Sequence, residues 1–134
     1  MKQVWPYVFV GVGGAIGSIA RFWMTTAVDR APTQSFPWGT LAVNVLGSFA
    51  IGILASFAVA EGRTALTPSM RQFLMAGVCG GFTTFSAFSL QTLELLQHRH
   101  WLAASGNIAL SLILCLVAVA IGFGLGSMLN ARAA

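Results

Sequence analysis

The sequence predicts an all-α membrane protein with four transmembrane helices, the third of them broken in mid-membrane. Of the 134 residues, 57% are hydrophobic and only 7% are charged, whereas soluble domains contain about 25% charged residues. Four charge-free runs, over residues 3–20, 31–60, 72–93 and 102–131, are each long enough for a span, which needs about 20 residues. The third run contains three glycines followed by two adjacent threonines. Both residue types are poor helix formers, so the helix is expected to be broken or distorted there.

The four helices account for nearly the whole chain, so a single transmembrane domain is predicted over residues 1–134. The predicted helices cover residues 4–27, 38–60, 69–97 and 101–130.

Composition and spacing exclude several other classes of protein and site. The formal charge of +4 comes from seven basic residues spread over loops and tails, which form no basic patch, so no nucleic-acid partner is expected. Cys79 and Cys115 both fall inside predicted spans, where a disulfide is not expected. His98 and His100 lack a third ligand nearby, which argues against a metal site. The first run starts almost at Met1 without a convincing cleavage site, so it is expected to remain as an anchor.

Small and polar residues in helices one and two allow two interpretations each. Gly13 and Gly17 form a GxxxG pair, which is typical of close helix packing. Arg21 lies near the end of helix one, where its side chain either reaches the lipid headgroups or serves an anion-attracting vestibule or an ion pair. Asn44 is the one amide in helix two, and it either bonds to a neighbouring helix or points a donor into a pore.

The segment 77–89 of helix three, GVCGGFTTFSAFS, is the centre of the predicted site. A broken helix at membrane depth is tolerated only where protein or a water-filled cavity satisfies the freed backbone groups. Phe82, Phe85 and Phe88 recur at steps of three, with Ser86 among them. The pattern suggests a polar path edged with aromatic rings, although rings at this spacing also suit lipid-facing or core packing.

Helix four and the start of helix three carry further local signals. Asn107, Ser111 and Cys115 recur every four residues, so they share one face, which is either a packing face or one wall of a path. Thr67 and Pro68 are suited to the N-cap and first position of helix three.

The distribution of basic residues is only a weak signal for the orientation of the protein in the membrane. Four spans place both termini on one side, and only four basic residues then lie on that side against three on the other. Insertion in both orientations, and hence an antiparallel homodimer with a two-fold axis in the membrane plane, is therefore predicted. The first group is Lys2, Arg63, Arg71 and Arg132, and the second is Arg21, Arg30 and Arg99.

Three motifs in order along the chain resemble those of the Fluc/CrcB fluoride channel family. They are GGxxGxxxR in helix one, NxxGSFxxG in helix two and GVCGGFTTFSxFS in helix three. The resemblance implies a dual-topology homodimer in the bacterial inner membrane, with two antiparallel pores that pass cytoplasmic fluoride outward. It also implies a structural sodium ion at the centre of the dimer.

The resemblance assigns roles to individual residues of this sequence. Backbone carbonyls of Gly80 and Thr83 would bind the sodium, two from each subunit. The fluoride pore would comprise a ring pair, neutral polar donors and a vestibule arginine: Phe85, Phe88, Asn44, Ser86, Asn107, Ser111, Cys115 and Arg21. Three positions depart from the family's usual residues, which are often Thr at Ala87, a phenol at Asn107 and a hydroxyl at Cys115.

The chemistry of fluoride suits such a lining. A small, strongly hydrated anion needs replacement of its water by donors that also release it, so neutral amides, hydroxyls and the positive edges of phenylalanine rings are favoured. No span has a central Asp or Glu that would carry protons, which favours a passive channel over a proton-coupled one. The alternatives are a small dual-topology multidrug exporter, which needs a carboxylate in helix one, and a membrane subunit without transport. No catalytic constellation is present in the sequence, so an enzyme is not expected.

Overall fold

The computed structural model describes residues 4–30, 36–59 and 65–133, and the regular secondary structure in those residues is entirely helical. We number the helices α1, Trp5–Val28; α2, Trp38–Val59; α3, residues 68–82; α4, Phe85–Gln97; and α5, Trp101–Ala133. Four helical segments are long and apolar enough to cross a membrane, with α3 and α4 together forming the third. The predicted all-α membrane fold with four spans is therefore confirmed.

Helix α3 begins with the predicted cap. The Thr67 hydroxyl accepts a hydrogen bond from the Met70 N–H at 3.3 Å, and Pro68 occupies the first turn, where its missing N–H costs nothing. After the first turn the helix widens into a π-helical stretch over Gln72–Cys79 and then returns to α geometry over Gly80–Phe82.

The third span is broken at the two threonines and not at the glycines. Thr83 has φ −82° and ψ 157°, and Thr84 has φ −152° and ψ 114°, so both are extended. This is the backbone region that β-branched residues favour. The break is thus confirmed and lies at the threonines. The helix is distorted but not broken at the glycines, because Gly77 lies in the π-helical stretch and Gly80 and Gly81 lie in α-helical turns.

Those glycines instead allow α3 to approach α1. A Cβ added at Gly13 would lie 2.5 Å from the Phe73 carbonyl oxygen, and one added at Gly81 would lie 2.5 Å from that of Gly14. Real Cβ atoms do not come so close to backbone atoms, so side chains at these positions would force the helices apart. The packing interpretation of the GxxxG pair is therefore confirmed.

A second close contact joins α2 to α5, which form the most extensive helix pair. A Cβ at Gly52 would lie 2.9 Å from the Phe123 nitrogen, and a Cβ at Gly122 would lie 3.1 Å from the Phe49 carbonyl carbon. The molecule is thus built from two close pairs, α1 with α3 and α2 with α5, and α4 adds its contacts to α5.

The interior is small and about half polar. Glycines aside, six hydrophobic and six polar residues are buried in the part of the chain that the structure describes, while large aliphatic and aromatic side chains cover the outside. This distribution is expected in lipid, where apolar side chains gain nothing by turning inward and small polar side chains bond across helices. The polar set is Thr40, Ser56, Thr84, Thr92, Asn107 and Ser111.

Candidate functional site

The break between α3 and α4 is held by the side chain of Asn44 on α2. The Thr84 N–H donates to Asn44 Oδ1 at 2.8 Å, and Asn44 Nδ2 donates to the Thr84 carbonyl at 3.0 Å. The amide thus pairs with both backbone groups of one extended residue, as a neighbouring strand would. In this way the protein supplies hydrogen-bond partners for the Thr84 N–H and carbonyl, which lipid could not provide. An amide nitrogen carries two hydrogens, so Asn44 keeps a second N–H beyond the one that reaches Thr84.

The two threonines tie the break to the helices on either side. Thr84 caps α4, since its hydroxyl accepts from the Ala87 N–H at 3.1 Å and lies 3.2 Å from the Ser86 hydroxyl. The Thr83 hydroxyl donates to the Cys79 carbonyl at 3.0 Å, which secures the last turn of α3.

These bonds release two particular backbone carbonyls. In a continuous helix the Thr84 N–H would bond to the Gly80 carbonyl, and the Ala87 N–H would bond to that of Thr83. Here the first N–H donates to Asn44 and the second to the Thr84 hydroxyl. Gly80 is exposed and Thr83 half-buried. The carbonyls of Gly80 and Thr83, the two residues that the resemblance assigns to the sodium, are therefore among those that lose their helical partners at the break.

Beside the break lies a groove of about 540 Å³, which we call the phenylalanine cavity. The Phe85 and Phe88 rings border it with their centroids 5.3 Å apart and their planes inclined at 46°. The Phe85 side chain is 78% exposed, so one face of the cavity is open in the single chain. Five residues predicted for the path line this cavity: Asn44, Phe85, Phe88, Ser111 and Cys115.

A second cavity, of about 410 Å³, contains Arg21, and we call it the arginine cavity. Asp29, Thr40 and Gln91 also line it, and its floor includes Thr84. Thr84 borders the phenylalanine cavity as well, so the two cavities share one lining residue at the break. Arg21 is half-buried and lines this cavity, and its role in an anion-attracting vestibule stays a prediction.

Asn107 and Ser86 are placed differently from the rest of the predicted pore residues. Neither lines the phenylalanine cavity. Asn107 is only 1% exposed and lies between α4 and α5, where its Nδ2 donates to Thr92 Oγ1 at 2.9 Å. The Thr92 hydroxyl in turn donates to the Phe88 carbonyl at 2.7 Å. Asn107 is therefore connected to the Phe88 backbone through Thr92, and its Oδ1 accepts a hydrogen bond from the Ser111 hydroxyl at 3.5 Å.

Two polar residues that border the cavities were not predicted from the sequence as site residues. Thr84 was considered only as a helix breaker, although it borders both cavities and caps α4. Gln91 is half-buried, and its Oε1 has no hydrogen-bond partner among the residues that the structure describes. A glutamine inside a charge-free run was the available signal for the second, since such an amide needs partners.

Comparison with known proteins identifies the family. The family model described as "CrcB-like protein, Camphor Resistance (CrcB)" matches residues 8–123. A relative from Opitutus terrae is 52% identical over 116 residues, which cover 87% of this chain and 88% of the relative. Relatives from Methylocella silvestris and Rhodospirillum rubrum are 48% and 49% identical over 92% and 87% of this chain, and over 95% and 90% of their own lengths. All three are named fluoride-specific ion channel FluC. This chain, with its broken third span and its two cavities that share Thr84, therefore belongs to the CrcB family.

Proposed function

We propose that this protein is a fluoride-selective passive ion channel that carries cytoplasmic fluoride out through the bacterial inner membrane. The observation that carries the proposal is the identity of 52% over 87% of the chain to a relative named as a fluoride-specific channel. The family is one of ion channels and not of enzymes. The four apolar helices agree with a multi-pass membrane location.

The phenylalanine cavity offers the donors that such a channel needs. Phe85 and Phe88 present rings whose edges carry partial positive charge, and Ser111 adds a hydroxyl that lines the same cavity. The second N–H of Asn44 is a further neutral donor beside the break. Neutral donors replace the water of fluoride without holding it as tightly as a fixed cation, which allows rapid release.

The sequence of α1 does not support proton-coupled transport. Helix α1 contains no Asp or Glu, so the carboxylate that a small proton-coupled exporter needs in helix one is missing. Passive conduction remains as the mode of transport that the residues support.

We further propose that two copies assemble as an antiparallel homodimer with two pores. The single chain leaves Phe85 78% exposed on the open side of the phenylalanine cavity, and a second copy would cover it. Reporter fusions at the C-terminus test the arrangement: an antiparallel dimer gives signal on both sides of the membrane, and a single fixed orientation would contradict it.

A sodium ion on the axis of that dimer fits the released carbonyls of Gly80 and Thr83. Backbone carbonyls from broken helices are suitable ligands for sodium, and two from each of two chains give four. The ion would hold the two breaks together and add positive charge near the anion path. Replacing sodium by a larger organic cation should weaken the dimer, measured by size-exclusion chromatography, and a dimer indifferent to sodium would contradict the site.

Fluoride efflux from liposomes tests the proposed function directly. Purified protein is reconstituted with internal potassium fluoride, and a fluoride electrode records release when valinomycin carries the balancing potassium. We expect fast fluoride release, no chloride release under the same conditions, and no requirement for a proton gradient. Absence of fluoride release from well-folded protein would contradict the channel.

A further inference from the structure

A third cavity lies next to the arginine cavity, between the end of α4 and the approach to α2. This outer cavity has a volume of about 600 Å³ and is bordered by Glu94, His98 and His100, with Asp29 and Gln91 shared with the arginine cavity. The three cavities therefore follow one another, through shared lining residues, from the outer cavity to the phenylalanine rings.

The outer cavity is bordered by every histidine of the protein. The sequence contains two histidines, and both are exposed residues of the turn between α4 and α5. Arg99 between them has a positive φ of 61°, and the His100 N–H closes the turn on the Leu95 carbonyl at 2.8 Å. This reversal directs the chain so that both imidazoles border the same space.

Charges on every neighbouring element decide what protonation of these histidines would do. Helix α1 and its C-terminal end contribute Arg21 and Asp29, and α4 contributes Glu94. Residues 36 and 37, which lead into α2, carry no charge. With neutral histidines the groups bordering the two cavities sum to one negative charge, and with both histidines protonated they sum to one positive charge.

Two other charged side chains lie nearby without bordering the outer cavity. Arg99 belongs to the turn and Arg30 follows Asp29, and both are exposed. Among the described residues no three His, Cys, Asp or Glu side chains are placed to hold a metal ion.

We propose that His98 and His100 make the outer cavity a proton-sensitive entrance for the anion, through which flux rises as both become protonated. The proposal rests on the proposed fluoride channel. Histidine is the side chain whose charge changes between about pH 5 and pH 8, and a cleft of one sign raises the local concentration of an oppositely charged ion. The two positive charges added at the entrance therefore increase the rate at which fluoride arrives.

The experiment measures electrogenic fluoride flux at pH 7.0 and pH 5.5, the same on both sides of the vesicle, at low ionic strength and low fluoride. Protein-free vesicles give the leak of hydrofluoric acid, which is subtracted. The wild type should carry roughly threefold more flux at pH 5.5, a modest case of electrostatic steering. At 1 M of an impermeant salt, where charges are screened within about 3 Å, the ratio should approach one.

Three variants test whether the two histidines cause the pH dependence of the flux. His98→Gln/His100→Gln should hold flux at the wild-type pH 7.0 value at both pH values. Glu94→Gln should raise the flux at pH 7.0 toward the wild-type value at pH 5.5. Arg99→Gln, which removes a permanent charge from the same turn, is the matched control and should keep the wild-type ratio. Monodispersity on size-exclusion chromatography confirms that each variant is folded.

The outcomes distinguish this proposal from the proposed function. The proton-sensitive entrance would be contradicted if the wild type had equal flux at pH 5.5 and pH 7.0, or if the double-histidine variant kept the wild-type ratio of these fluxes. Either result would leave the proposed fluoride channel intact. No fluoride flux at either pH would overturn the channel itself, and the entrance with it.

Discussion

The two halves of the segment 77–89 meet the rest of the chain in opposite ways. In the first half Gly77 and Gly81 lie against the backbone of α1, with no room for a Cβ. In the second half Thr84 is bonded to a single side chain from α2, and Phe85 stands largely exposed beside an open cavity. One half is therefore a close packing contact, and the other borders an open cavity. Changes in the first should affect folding, whereas changes in the second should affect transport.

The largest effect on transport is expected from Phe85→Ile. Isoleucine keeps an apolar side chain of similar bulk but has no polarised ring edge, so fluoride flux in liposomes should be abolished while the protein stays monodisperse. Phe82→Ile is the matched control, because Phe82 precedes the break and does not line the phenylalanine cavity. Unchanged flux in Phe85→Ile would show that the ring serves packing alone.

Asn44→Ala should give the largest loss of stability. It removes the partner of both the Thr84 N–H and the Thr84 carbonyl, and buried backbone groups left unpaired cost about 1–3 kcal/mol each. We expect a lower free energy of unfolding by roughly 2–6 kcal/mol, measured by denaturation in detergent, together with lost flux. Ser48→Ala is the control, since Ser48 lines the same cavity from the same helix. Equal stability of the two variants would contradict the role of Asn44 in holding the break.

Gly13→Ala tests the packing half of the comparison. The added methyl group would lie 2.5 Å from the Phe73 carbonyl oxygen, and overpacking of this kind costs about 1–3 kcal/mol. Gly11→Ala is the matched control, because nothing lies within 4 Å of its Cβ position. A thermal-shift assay should show a lower midpoint for Gly13→Ala only, and equal midpoints would mean that α1 and α3 are less closely packed than described.

The smallest effect is expected from Asn107→Ala. This variant distinguishes residues that line the phenylalanine cavity from residues that only hold its helices together. Hydrogen bonds between membrane helices contribute about 0.6 kcal/mol on average, so stability should fall by about that amount. Flux should fall less than in Ser111→Ala, because Ser111 lines the phenylalanine cavity and Asn107 does not. A greater loss of flux in Asn107→Ala would place the buried amide directly on the path.

Local properties of the sequence were sufficient for the spans, the cap at Thr67 and the presence of a break. Hydropathy, capping chemistry and residue propensity depend on a few neighbouring residues, so they can be inferred from the sequence without knowing which helix packs against the segment. Propensity did not separate the glycines from the threonines, because a poor helix former stays helical when packing compensates for it. Gly81 is helical against α1, whereas Thr84 is extended against Asn44.

By itself, then, the sequence determined a four-span membrane protein with an interrupted third span, since lipid imposes length and hydropathy on every helix. Only the tertiary structure decided how that interruption is satisfied. The Asn44 amide meets Thr84 from 40 positions away along the chain, and this pairing frees the Gly80 carbonyl. It likewise decided that Asn107 is bonded to Thr92 between α4 and α5 and that both histidines border one cavity. Such outcomes depend on which helix faces meet, and side-chain spacing along one helix cannot specify its neighbour.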